Sequence, residues 1–292
     1  MERVGCTKAL GRQPVIHSSR KKNGMSNHVD LYNSTYGNFT GQVLAEIRRE
    51  TYGEDIGQNS WITADEYGTF YSWLGLGPRA HVLEVASGSG GPALHLARKY
   101  RCRITGIDIN EEGLNTARQA ARAAQIDDAD FRFADVDTRL PFEADSFDAV
   151  LCIDSMNHFH DRLGVLREWH RVLKAGRRIL FTDPVVLTGP VSNEELAARS
   201  NIGYFLFVPL EVTEGFIKEA GFSLRRREDA TGNIELTSGR WHAARQQRRV
   251  DLLQIEGEER FEGLQRFLAA VHKLTSERRL SRFVFVAEKG AA

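Results

Sequence analysis

The stretch HVLEVASGSGGPALHLARKYRCRITGID, residues 81–108, decides the fold. Residues 81–86 are apolar and β-branched and read as a buried strand. GPALHLARKY, 91–100, has helical spacing, with Pro92 at the start, where a missing N–H costs little. CRITGID, 102–108, is a second strand. Strand, tight turn, helix and strand make a βαβ unit, which requires a parallel sheet. Gly88 and Gly90 carry no side chain, so the turn's backbone can approach a ligand closely. The helix that follows aims its N-terminus at that ligand. Gly88, Gly90 and Ala93 satisfy the spacing G-x-G-x-x-A, and Asp108 closes the second strand. A carboxylate there accepts hydrogen bonds from both ribose hydroxyls of a nucleoside.

Working outward, the alternation continues. EEGLNTARQAARAAQ (111–125) is a helix with acids in its first turn, and DFRFAD (130–135) a third strand. FDAVLCID (147–154) is a fourth strand, and LGVLREWHRVLKAG (163–176) an amphipathic helix stopped by Gly176. RRILFTD (177–183) is a fifth strand. A helix over 209–222, a strand over 222–229, helical material over 239–279 and a strand over 280–289 complete the chain. The expected fold is α/β: a Rossmann-like, doubly wound, mostly parallel seven-stranded sheet, with an N-terminal helical lid and a helical insertion before the last strand. The expected division is a disordered tail over 1–24, a lid over 25–79 and a core over 80–292. Insertions near 185–210 and 231–279 are assigned to the substrate side.

Composition narrows the partners. Lys plus Arg and Asp plus Glu both number 39 among the 292 residues, so the formal net charge is zero. That balance argues against a global electrostatic partnership with nucleic acid or a membrane surface. No apolar run reaches the length of a membrane helix. Three cysteines cannot make a disulfide framework, and their spacing does not suit a metal. They read as reduced thiols, so a cytoplasmic location is expected, with no metal. A homodimer is compatible with the chain.

Three further features choose the nucleoside. Glu84 ends the first strand, where an acid holds a cationic amino-acid portion better than it tolerates a pyrophosphate. Asp135 follows the third strand and can accept from an adenine amine. DTRLPFEADSFDAVLC (137–152) then leads into the fourth strand. With VLEVASGSGG, ITGIDIN and RVLKAGRRILFTD, these strings resemble the class I S-adenosylmethionine-dependent methyltransferases over about 80–185. The family usually places Asp-x-Gly-x-Gly at the first loop. Here Glu84 stands for Asp and Ala86 for the first Gly, and an alanine is tolerated if the backbone there is extended. The resemblance implies that Glu84, Ala86, Gly88 and Gly90 hold the methionine part of S-adenosylmethionine. It implies that Asp108 and Ile109 meet ribose and adenine, that Asp135 and Val136 meet the adenine edge, and that Cys152 and Ile153 approach the amine by backbone.

The acceptor side follows from IDSMNHFHD (153–161). His158 lies past the sheet's C-terminal edge, where open α/β sheets bind ligands. Asp183 ends the fifth strand, so the expected catalytic pair is His158 as base and Asp183 as its orienter. His160 reads as a solvated loop residue. YGEDIGQNSW (52–61), SMNHFHD and TDPVVLTGPV resemble the small-molecule branch: sarcosine and dimethylglycine, phosphoethanolamine and sugar O-methyltransferases. In the sugar enzymes two adjacent His follow strand four, and the first of these is Asn157 here. In the phosphoethanolamine enzymes a His stands where this chain has Cys152. The expected activity is methyl transfer to a hydroxyl or amine of a small-molecule acceptor. The alternatives are an inactive nucleoside-binding homologue and an NAD(P)-dependent oxidoreductase. Tyr52, Gln58 and Trp61 either border the site from the lid or pack within the lid. Tyr204, Phe205 and Phe207 either line the acceptor pocket or belong to the core. The arginines of 225–227 and 240–249 are either a solvated face or an anion attractor.

Overall fold

The computed structural model describes Tyr36 and residues 39–291, so the expected tail and the lid residues before Tyr36 lie outside the described residues. The first two helices, α1 (Gln42–Tyr52) and α2 (Ala64–Ser72), precede the sheet. Then come β1 (His81–Val85), α3 (Gly91–Tyr100), β2 (Arg103–Asp108), α4 (Glu111–Ala123), β3 (Ala129–Phe133) and β4 (Phe147–Cys152). A 3-10 turn at Met156–His158 leads to α5 (Arg162–Val172) and β5 (Leu173–Leu187). Helix α6 (Asn193–Arg199), β6 (Val208–Pro209), α7 (Leu210–Glu219) and β7 (Phe222–Asp229) follow. The chain closes with α8 (Thr231–Gln247), α9 (Arg249–Glu256), α10 (Glu258–Ser276) and β8 (Leu280–Lys289).

The sheet order is β3-β2-β1-β4-β5-β8-β7, parallel from β3 to β5, with β8 antiparallel to both β5 and β7. It has eight strands rather than seven, because the two-residue β6 inside the insertion pairs with Val186 and Leu187. Both faces are covered. Val82, Ile104, Leu151 and Leu180 pack under α2 and α3, while Leu83, Val85, Val150 and Phe181 pack with Trp169 of α5 and Ile217 of α7. Strands buried on both sides carry continuous apolar runs, which is why the sequence shows them clearly. Local caps set the helix starts. Asn110 accepts from Gly113 N–H at 2.9 Å, and Asp161 accepts from Gly164 N–H at 2.9 Å. Each such cap stabilises its helix by about 1 kcal/mol.

Two elements differ from the sequence reading. Helix α5 stops at Val172, and Gly176 lies inside β5 with φ +70° rather than ending a helix. Leu173 pairs with Phe147 across a register shift, so sheet pairing overrides the helical pattern. Strand β5 also runs past Asp183 to Leu187. A bulge in its pairing with β8 falls between Asp183 and Val186, and Pro184, which has no N–H to donate, sits within it.

The material between β7 and β8 folds as three helices that pack on the N-terminal segment. Trp241 of α8 meets Tyr52 at 6.3 Å and Trp61 at 5.8 Å between ring centroids. Ile47 shares an apolar cluster with Ala244, Leu252 and Phe261. Segments at the two ends of the chain thus form one cap over the sheet's C-terminal edge. Among the described residues, no helix is long and apolar enough to cross a membrane.

Candidate active site

A cavity of about 430 Å³ opens at the C-terminal ends of β1, β2 and β4. The loop after β1 forms its floor, and its backbone is tightly constrained. Gly88 has φ +52°, and its N–H donates to Asp108 Oδ2 at 2.8 Å. The other oxygen, Oδ1, accepts from Asn110 N–H at 2.8 Å. Burial nevertheless pushes the Asp108 carboxyl above its ordinary range. A Cβ on Gly88 would come within 2.3 Å of the Tyr36 hydroxyl, so the tyrosine would have to shift, and the positive φ would strain any side chain there.

Gly90 serves a different purpose from the one expected. It does not line the cavity; a Cβ on it would come within 2.6 Å of Ala117 and 2.7 Å of Phe131. Its bareness lets α3 start close against α4 and β3. Ala86 also departs from expectation. Its backbone is left-handed, with φ +56°, rather than extended. That conformation costs an alanine about 1–2 kcal/mol relative to a favoured one.

Glu84 is buried at the cavity wall. Its Oε1 accepts from the Tyr67 hydroxyl at 2.7 Å, while Oε2 is buried with no hydrogen-bond partner among the described residues. Burial pushes its pKa up to about 7. An orphaned buried carboxylate oxygen is costly unless something cationic meets it. The ammonium of a methionine moiety has the right charge and size for that place, so the residues present fit S-adenosylmethionine. Ile109, 64% exposed, and Val136 line the cavity beyond Asp108. Asp135 lines it too, with Oδ1 holding Asp137 N–H at 3.0 Å. Ile153 reaches the cavity, whereas the Cys152 side chain is fully buried in the core cluster.

The expected pairing of His158 with Asp183 is not what the structure builds. Asp183 is fully buried and outside the cavity lining; Arg162 Nη1 donates to its Oδ2 at 2.6 Å, and Val185 N–H to its Oδ1 at 3.2 Å. Arg162 Nη2 also donates to the Leu206 carbonyl at 2.6 Å. Asp183 therefore anchors the insertion through Arg162. His158 lines the cavity, and its Nδ1 lies 2.8 Å from the Tyr204 carbonyl oxygen. Its ring meets Phe205 edge-on at 4.7 Å. Burial of the ring pushes its pKa down to about 4; the Tyr204 carbonyl opposes that shift, and the nearby Arg199 and Arg162 add to it. Asn157, which replaces a histidine of the sugar enzymes, is fully buried, and its side-chain amide has no hydrogen-bond partner among the described residues.

Of the two roles open to the lid residues, packing is the one the structure builds. Tyr52, Gln58 and Trp61 do not line the cavity; they brace the loop that does. The Tyr52 hydroxyl donates to Ser60 O at 2.7 Å, and Gln58 Oε1 accepts from Ile56 N–H at 2.8 Å. Gly57, Asn59 and Ser60 face the cavity instead. Trp61 N–H donates to Asp154 Oδ2 at 2.9 Å. Asp154, at φ +53°, also accepts from Arg282 Nε at 2.7 Å, and Arg282 Nη1 reaches both oxygens of Glu66 at 2.7 and 2.8 Å. Sequence reasoning missed this hub. Its only trace in the sequence is an arginine within the apolar strand LSRFVFV.

Of the expected acceptor aromatics, Tyr204 lines the cavity, while Phe205 stacks with Phe207 and lies 4.7 Å from the Arg199 guanidinium. The arginine-rich stretches turn to acids elsewhere. Arg225, Arg226 and Arg227 pair with Glu288, Glu228 and Glu214. Arg245, Arg248 and Arg249 pair with Glu256, Glu50 and Glu262.

Residues 83–181 match a methyltransferase domain family. The chain is 28% identical over 235 residues to 27-O-demethylrifamycin SV methyltransferase of Amycolatopsis mediterranei, covering 76% of this chain and 80% of that protein. It is 38% identical over 114 residues to the sarcosine/dimethylglycine N-methyltransferase of Halorhodospira halochloris, but spans only 39% of that protein. Its fold superposes on phosphoethanolamine N-methyltransferase 2 of Haemonchus contortus, solved with phosphomonomethylethanolamine and S-adenosylhomocysteine. The TM-score is 0.74 at 19% identity, over 89% of this chain and 60% of that one.

Proposed function

We propose that the chain, whose residues 83–181 match a methyltransferase domain family, is a class I S-adenosylmethionine-dependent methyltransferase that methylates a hydroxyl group of an uncharged small molecule. Bound S-adenosylmethionine supplies an electrophilic methyl group on a sulfonium sulfur. The oxidoreductase alternative falls with the family assignment.

The observation that carries the hydroxyl reading is the setting of His158. A carbonyl oxygen only accepts, so the contact with Tyr204 O keeps the proton on Nδ1 and leaves the Nε2 lone pair as an acceptor. With its pKa pushed down to about 4, the ring is neutral at ordinary pH. A neutral alcohol is a poor nucleophile and needs a group that accepts its proton, whereas an amine needs only to be unprotonated and aimed. Among the described residues, the Asp, Glu, Lys and Arg side chains lining the cavity are all acids: Glu84, Asp108, Asp135, Asp137 and Asp154. Such a wall disfavours an anionic acceptor. The relative matched over the larger share of its own length also carries an O-demethyl substrate in its name.

In this reading Glu84 holds the ammonium, with the Ile153 and Cys152 backbone beside it. Ala86 and Gly88 floor the methionine part, and Gly90 keeps the helix start in place beneath them. Asp108 holds the ribose, and Ile109, Val136 and Asp135 border the adenine. His158 takes the hydroxyl proton. Asp183 acts at a distance, by fixing Arg162 and thus the insertion that carries Tyr204.

The test uses methyl-labelled S-adenosylmethionine and a panel of uncharged phenols and alcohols, set against sarcosine and phosphoethanolamine. Label is expected in a hydroxyl compound, and His158→Ala should lower kcat by about 100-fold with S-adenosylhomocysteine affinity unchanged. Methylation confined to the two amines would overturn the hydroxyl reading.

A further inference from the structure

Glu84 alternates along β1 with Leu83 and Val85, so its side chain points to the face that Val82 shares with α2. Tyr67 of α2 is fully buried on that face, in one apolar cluster with Ile62, Phe70 and Leu96. Its hydroxyl meets Glu84 Oε1 at 2.7 Å, and Oε2 is left without a partner among the described residues. The helix that carries the tyrosine is held at its start. Thr63 caps it by accepting from Glu66 N–H at 3.3 Å. Glu66, the residue before Tyr67, is gripped by Arg282 Nη1 and by Asn233 Nδ2, each at 2.7 Å. One fixed turn of helix therefore delivers one hydroxyl to one carboxylate oxygen. The other titratable groups that interact with Glu84 are the thiols of Cys102 and Cys152, which burial pushes up and keeps uncharged. Asp108 and Asp154 line the same cavity, but loop N–H groups hold the first and Arg282 holds the second.

We propose that Tyr67 is a positioning residue of the cofactor site: its hydroxyl takes one oxygen of Glu84, sets the plane of the carboxylate and reserves the other oxygen for the ammonium. The proposal rests on the reading above, in which Glu84 holds the ammonium of S-adenosylmethionine. An ionised carboxylate only accepts, so the tyrosine donates. Burial, then the neighbouring carboxylate, push the Tyr67 hydroxyl well above its ordinary range, so it keeps its proton and stays a donor at ordinary pH. A hydrogen bond to the ionised form favours that form, whereas burial favours the neutral carboxyl, which cannot pair with a cation. At Glu84 burial pushes the carboxyl up and the Tyr67 hydroxyl draws it back, to about 7. Without the hydroxyl the carboxyl keeps its proton to higher pH, and its plane is free to turn. An arriving ammonium must then displace that proton before it can pair. Tyr67 is outside the cavity lining, so it acts only through Glu84.

The first test needs no ligand. Carbon-13 NMR of the full chain, labelled at the glutamate carboxyls and assigned with Glu84→Gln, reads the titration midpoint of Glu84. Tyr67→Phe keeps the ring and removes the hydroxyl, so the midpoint should rise by about one pH unit. A midpoint that stays in place overturns the proposal. The second test is calorimetry with S-adenosylhomocysteine. Tyr67→Phe should bind about tenfold more weakly than the unaltered protein near about pH 6, and within about twofold of it near about pH 8.5, where both carboxyls are ionised. The ligand's own titration is common to both proteins and cancels in the ratio. A loss of equal size at both pH values is what lost packing would give, and it overturns the proposal. In a Glu84→Gln background the pH dependence of the Tyr67→Phe effect should vanish, and its persistence overturns the proposal as well. The two readings fail separately. A flat affinity profile in the unaltered protein removes the ammonium from Glu84 and the proposal with it. A sloped profile whose midpoint Tyr67→Phe leaves in place overturns the role of Tyr67 alone.

Discussion

The two ends of the cavity are held together over very different distances along the chain. At the glycine-loop end, Gly88 meets Asp108 across 20 residues, within a single βαβ unit. At the acceptor end, His158 meets Tyr204 across 46 residues, Asp154 meets Trp61 across 93, and Asp154 meets Arg282 across 128. The first end forms when one supersecondary unit forms. The second exists only after the lid, the insertion and the last strand have all docked. In the proposed reading, local geometry therefore supports the cofactor, while long-range buried polar contacts support the acceptor.

The strongest way to break that contrast is at Arg282. It is fully buried and answers two carboxylates, so removing it strands both Asp154 and Glu66. Arg282→Met should destabilise the fold by about 3–5 kcal/mol, measured by urea denaturation. A loss under about 1 kcal/mol would mean that the cap does not depend on this hub. Next in size is Asp108→Ala, which removes the acceptor for two loop N–H groups as well as the proposed ribose contact. Calorimetry should show S-adenosylhomocysteine binding weakened by about 100-fold, or about 2.7 kcal/mol, and near-normal affinity would reject the local account of the cofactor end.

A smaller effect sharpens the assignment of Glu84. Its carboxyl, at about 7, is half ionised near neutrality, and a cationic ammonium binds the ionised form. Ionisation is complete above that pH, so affinity should be highest there and fall as pH drops through 7, by about tenfold per unit. Proton release on binding near pH 7, read in buffers of different ionisation heat, checks the sign. Glu84→Gln should flatten the profile, and a flat profile in the unaltered protein would remove Glu84 from the ammonium site. Least of all is Ala86→Gly. Relieving the left-handed alanine should raise stability by about 1 kcal/mol, while a loss would show that the alanine methyl packs usefully.

Much of the cavity's floor was legible in the sequence. Glu84, Ala86, Gly88, Asp108, Ile109, Asp135, Val136, Ile153 and His158 all line it. Gly90, Cys152 and Asp183 do not, and the reason differs in each case. Gly90 is bare for packing, a need that motif spacing does not distinguish from ligand approach. Cys152, expected to act by its backbone alone, has its side chain in the core because alternation along β4 sends it there. Asp183 is claimed by Arg162, a partner that only the packing of α5 against β5 supplies. On the lid, the conspicuous side chains of Tyr52, Gln58 and Trp61 brace the loop, and the less conspicuous Gly57, Asn59 and Ser60 face the ligand space.

The sequence by itself determined the parallel sheet, the order of its elements and the glycine loop with its aspartate. These depend on periodicity and on turn chemistry, both written in neighbouring residues. Only the tertiary structure decided that His158 and Asp183 take different partners. It also decided which arginine closes the cap, and that the carbonyl of a tyrosine of the insertion meets His158. Those outcomes depend on which distant groups share a buried volume, where an unpaired charge is costly and each polar atom takes the partner that folding brings to it.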